Sequence, residues 1–124
     1  MATTAGFEVM HPFSQLLISG EKSVETRDFP LPEQYIRTPI VLVQSKGPDT
    51  PADSLVAIGQ IQFTRCFEYA DRSQWLADYG RHCVEPDHAM FGFTPGEPKF
   101  GWNVEVLERQ AVQLQSTENM YSSC

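Results

Sequence analysis

Apolar positions in this chain fall into short runs of two different periods, separated by proline and glycine. Phe7 and Val9 alternate with polar neighbours, which predicts a short strand over residues 7–10. Pro12 suits a first helical position, where its missing N–H costs nothing. Phe13, Leu16 and Leu17 then repeat at helical spacing, and Gly20 supplies a left-handed stop, predicting a helix over 13–19. The period returns to two over 23–27: Ser23, Glu25 and Arg27 share one strand face, Val24 and Thr26 the other, with Val24 turned to the core.

Residues 28–39 hold three prolines and read as a loop, with one helical turn at 33–36. The β-branched run 40–44 predicts a fully buried strand that delivers Ser45 and Lys46 at its end. A turn-rich connection, 47–53, leads to the longest strand, 55–67, where Gly59 marks a bulge or a close backbone approach. Asp71 or Ser73 caps a short helix over 74–79, closed by Gly80. Residues 81–98 show no period and carry glycines, prolines, Met90, Phe91 and Phe93; a loop of that length is often a lid or binding loop. A last strand over 100–112 precedes a polar, frayed tail. Several strands with two or three short helices predict a mixed α+β domain, mainly β, that forms a small closed or nearly closed barrel. Val24, Ile40, Leu42, Val56, Ile58 and Val104 are the expected inward set.

Composition narrows the function. A chain of 124 residues is one domain with a core of its own, and 41% apolar with 20% charged content is ordinary for a globular fold. The net charge of −7 argues against a protein that coats nucleic acid by neutralising phosphates. The deficit is general: residues 1–62 hold four Lys/Arg against seven Asp/Glu, and residues 63–124 five against nine. A local group of cations can still hold an anion on such a surface. Three cysteines, at 66, 83 and 124, have no paired spacing, which points to a reducing, cytoplasmic setting rather than a disulfide framework. No run approaches the roughly 20 apolar residues of a membrane span, and the N-terminus lacks a targeting pattern.

Residues 20–27 carry the strongest local signal. Gly20, Lys22, Glu25 and Arg27 match the spacing G-x-K-x-x-E-x-R, and the stretch resembles the signature of the ASCH domain, a PUA-like family. His11-Pro12-Phe13 is similar to that family's entry to its first helix, and Phe100 to Glu105 to its closing aromatic-Trp strand. The resemblance implies one PUA-like barrel over residues 1–124, with its core at about 7–112 and a flexible tail at 113–124. It also implies a cleft beside the signature strand and a role in binding RNA or nucleotides. Some ASCH-like proteins are amidohydrolases acting on N4-acetylcytidine, with a Lys that activates a Thr three positions later. Lys22 matches that Lys, but Glu25 stands where the Thr would be. A carboxylate beside an amine favours the protonated form, which works against Lys22 as a base. Ser23 and Thr26 are nearby hydroxyls out of register.

The candidate site is therefore Lys22, Glu25 and Arg27, with Ser45, Lys46 and Trp102 as further ligand-binding candidates. The plain alternative is a surface ion pair contributing about 0 to 1 kcal/mol, formed by partly exposed side chains. For Trp102, Phe100, Phe91 and Phe93 the choice is between core packing and a stacking platform for a base. His82, Cys83, Asp87 and His88 match no standard zinc spacing, and His11 is a weak general-base candidate. The leading expectation is a monomeric module that binds RNA, a nucleotide or a modified nucleoside, with no cofactor or metal. The alternative is a small hydrolase, an amidohydrolase or a ribonuclease, using Lys22 and Glu25. A protein-interaction adaptor is the third.

Overall fold

The computed structural model describes residues 4–46, 51, 54–109 and 117–119. The chain runs β1 (Thr4–Met10), α1 (Phe13–Ser19), β2 (Val24–Arg27), a 3-10 turn (Glu33–Tyr35), β3 (Ile40–Ser45), β4 (Val56–Glu68), α2 (Arg72–Ala77), α3 (Tyr79–His82), β5 (Phe100–Glu108) and β6 (Thr117–Asn119). One sheet takes the order β2-β5-β4-β3-β1-β6. β1 runs parallel to β3 and β6, and the other pairs are antiparallel. The sheet curls into a half-barrel, a mixed and mainly β architecture. No helix among the described residues is long and apolar enough to cross a membrane.

Local chemistry sets the elements. The α1 bounds follow the helical spacing of Phe13 and Leu17, and Gly20 caps the helix at φ 89°. Asp71 caps α2 by accepting from the Gln74 N–H at 2.8 Å. The expected single helix over 74–79 is instead two: Gly80 lies inside α3, and the left-handed cap is Cys83, at φ 61°. A glycine in a helix is permitted, and here the burial of Trp75 and His82 outweighs its low propensity. Gly59 sits where β4 slips register against both neighbours. A Cβ there would meet the Glu108 carbonyl oxygen and Ile18 Cδ1, each at 2.4 Å. The close approach expected at Gly59 is thus what seats α1 against the sheet.

Phe7, Leu17, Ile40, Leu42, Ile61, Phe63 and Trp102 form the core inside the curl. β3 is buried on both faces, because Val41 and Val43 pack with Ala57 in a second, smaller cluster outside it. Of the expected inward set, Val24, Ile40 and Leu42 are fully buried and Ile58 and Val104 partly so, but Val56 is 50% exposed. Val56 begins β4 beyond the bulge, where the slipped register turns it outward. Thr117–Asn119, in the stretch expected as tail, pair with β1. The expected strand residues 110–112 lie outside the described residues.

Candidate functional site

The half-barrel leaves a seam. β1 and β2 do not pair, yet the curl brings them together, and the Arg27 guanidinium of β2 lies 4.5 Å over the Phe7 ring of β1. The signature residues fill this seam. In register Glu25 faces Trp102, so it shares a sheet face with a core residue and points inward. Val24 is buried as expected, and burial covers both faces of β2, so the face that carries Glu25 and Arg27 is enclosed as well.

Lys22, Glu25 and Arg27 are 1%, 6% and 4% exposed, not partly exposed surface groups. Arg27 Nη2 donates to Glu25 Oε2 at 2.8 Å, and Lys22 Nζ lies 3.6 Å from Glu25 Oε1. Lys22 Nζ also donates to the His82 carbonyl oxygen and lies 5.3 Å from the centre of the Phe13 ring. Two cations converge on one carboxylate in a concavity. Burial pulls the Lys22 amine below its ordinary value, although Glu25 opposes that shift. Desolvation thus overrides the proximity effect expected from the spacing. Arg27 Nε is buried without a hydrogen-bond partner.

His82 holds the far wall. Its ring stacks on Trp75 at 4.7 Å. Nδ1 accepts from the Val84 N–H at 3.0 Å, which leaves Nε2 to donate to the Trp75 carbonyl at 2.7 Å. Burial lowers the imidazole's proton affinity, so the ring is held neutral in one tautomer. That clamp aims the His82 carbonyl at Lys22.

Two adjoining cavities meet at the cluster. The inner one, about 20 Å³, has Lys22, Glu25, Thr26 and Arg27 against walls of Val9, Met10, Phe13, Val84 and Phe91. It is about the size of one water. The outer one, about 140 Å³, shares Thr26, Arg27 and Phe91 and adds Asp28, Met90, Thr94, Glu97 and Lys99. The loop expected over 81–98, whose first two residues instead close α3, borders the cleft, and Phe91 stands between the two spaces. It packs on Phe13 at 5.4 Å and on His88 at 4.7 Å, while Lys99 Nζ donates to its carbonyl at 3.2 Å.

Other candidates lie elsewhere. Trp102 is wholly buried among Phe7, Phe29 and Phe63 and lines neither cavity, so it is core and not a stacking platform. Phe100 packs on the core and Phe93 against Trp75. Ser45 is buried at the end of β3, Lys46 is exposed, and neither lines these cavities. His11 is exposed and likewise apart from them. Among the described residues no group of three His, Cys, Asp or Glu could hold a metal ion; His82 is a packing residue and His88 stacks on Phe91. Phe13, Val84 and the His82 carbonyl escaped the sequence reading, since each reaches the site from a different element.

No protein-family model matches the chain, and no curated protein does. Solved structures do match in fold. The ASCH protein of Zymomonas mobilis aligns with a TM-score of 0.61 and 19% identity over 92% of this chain and 73% of its own. A single-residue variant of that protein aligns at 0.62 and 18%, over 92% and 74%. A protein of Enterococcus faecalis aligns at 0.50 and 11%, over 93% and 88%. The chain is a PUA-like half-barrel. Its fold is that of ASCH domain proteins, in agreement with the resemblance carried by residues 20–27.

Proposed function

We propose that this domain binds a nucleotide-like ligand, the base of a modified nucleoside or of an RNA segment, at the seam between β1 and β2. The observation that carries this reading is Arg27. Its guanidinium is nearly buried, one nitrogen is committed to Glu25, and the Nε–H lacks an acceptor. A buried donor left unmade costs about 1–3 kcal/mol, which a ligand carbonyl or phosphate oxygen would recover. Lys22 supplies a second donor, and Phe91 and Phe13 supply flat apolar walls for a ring. The inner space is too small for a base, so Phe91 must swing off Phe13 to admit one.

The test is calorimetric titration with cytidine, N4-acetylcytidine, the 5′-nucleotides and a short single-stranded RNA. At least one should bind, and Arg27→Gln should weaken it about tenfold or more, in line with a lost charged hydrogen bond. Equal affinity in Arg27→Gln for everything that binds would remove the reading.

One observation favours a hydrolase as the second reading: an amine with lowered proton affinity beside a carboxylate is suited to general-base work. Chromatographic release of cytidine from N4-acetylcytidine, or cleavage of the RNA, abolished in Glu25→Gln with affinity kept, would select it over simple binding.

A further inference from the structure

A second concavity lies on the other side of Phe13. It runs between α1 and α3, has a volume of about 410 Å³, and is lined by Pro12, Phe13, Leu16, Cys83 and His88, with Glu21 and Glu85 also in the lining. Tyr79 is an exposed aromatic at its lip, 42% accessible. The charged groups in this lining are both carboxylates. Glu85 accepts from the Tyr79 hydroxyl at 2.7 Å, and that bond raises the phenol above its ordinary value. Of the cations around the groove, Arg109 brings Nη2 beside Gly20, next to Glu21, and two others are committed elsewhere. Arg81 forks onto Asp78 and lies over Phe67, and Lys22 is buried beneath Phe13 on the Glu25 side.

We infer that this groove docks a short segment of a partner protein in which apolar side chains alternate with Lys or Arg. Apolar anchors fit the floor between two helices, a common seat for peptides. Cationic neighbours would meet Glu21 and Glu85, the two carboxylates of the lining. A second copy of this chain is a poor occupant, because a net charge of −7 opposes self-association. The groove shares Phe13 with the inner cavity, and its His88 stacks on Phe91, but Lys22, Glu25 and Arg27 do not line it, so this docking does not rest on the nucleotide-like ligand.

The test is fluorescence anisotropy with labelled octapeptides titrated with the full chain. An alternating Leu–Arg peptide should give a saturable rise. Alternating Leu–Glu and Gly–Arg peptides of equal length should give none, since each lacks one half of the recognition. Glu21→Lys, at an exposed side chain, should weaken the Leu–Arg peptide about threefold or more, and Glu21→Lys combined with Glu85→Lys about tenfold or more. Leu16→Asn should weaken it comparably, and Arg27→Gln should leave it unchanged. A thermal melt checks that each variant is folded; if the double variant is not, the single Glu21→Lys carries the charge arm. No saturable rise, equal binding of the Gly–Arg peptide, or full affinity in folded Glu21→Lys would each overturn the proposal. Equal binding of the Gly–Arg peptide means general attraction to an acidic protein, and full affinity in Glu21→Lys means that this carboxylate takes no part in docking.

Discussion

At the level of single residues, burial decides the chemistry. Lys22, Glu25 and Arg27 look from their spacing like a solvated ion pair, but all three are inside, where an amine loses proton affinity despite a neighbouring carboxylate. Removing one member of such a group leaves the rest uncompensated, so truncations here bear on folding as well as on ligands. His82 offers a cleaner reading of the same effect. Its folded-state proton affinity is depressed by burial, so well above the ordinary value of 6.5 both folded and unfolded chains carry it neutral and its packing counts in full. Below that, the unfolded chain takes up a proton that the folded ring resists, and stability falls. The stability gap between wild type and His82→Gln, from urea unfolding, should therefore narrow as pH drops from 7 to 5. A gap that widens would mean that the folded imidazole is the more readily protonated one.

Among the elements, the turn from α1 to β2 carries the site. Gly20 reverses the chain in a left-handed conformation, and Lys22 N–H donates to the Leu16 carbonyl at 2.9 Å, which starts β2 in the register that turns Glu25 and Arg27 inward. α1 itself is seated by Gly59 of β4, where any side chain would strike both the Glu108 carbonyl and Ile18. Gly59→Ala should destabilise by about 1–3 kcal/mol, the cost of overpacking, measured as a lower urea midpoint. The backbone contact makes the clash hard to relax by a rotamer change alone. A neutral or stabilising result would mean that β4 and β5 separate freely at the bulge.

For the whole molecule, incomplete closure is the feature on which the proposed binding rests. A curled sheet whose first two strands face each other without pairing leaves a cleft that backbone hydrogen bonds do not fill, and charged side chains occupy it. The loop 81–98 covers this cleft through Phe91. Phe91→Ala should join the inner and outer spaces and speed ligand entry severalfold in stopped-flow binding, with stability lowered by about 1–3 kcal/mol. An unchanged entry rate would show that the ligand does not pass this side chain.

The sequence determined the elements and their order. Local rules act within a few residues: alternation in β1 and β2, helical spacing and Gly20 in α1, β-branching in β3, and the spacing Gly20, Lys22, Glu25, Arg27 that carries the ASCH resemblance. It missed the split of α2 from α3, since the stacking of His82 on Trp75 outweighs Gly80, and it set Val56 inward because a bulge shifts register invisibly. Only the tertiary structure decided which face of β2 is buried, that Trp102 serves the core, and that Phe13, Phe91 and the His82 carbonyl close around Lys22. Those outcomes depend on contacts between residues tens of positions apart, made when the sheet curls. Neither spacing nor composition encodes how far such a sheet closes.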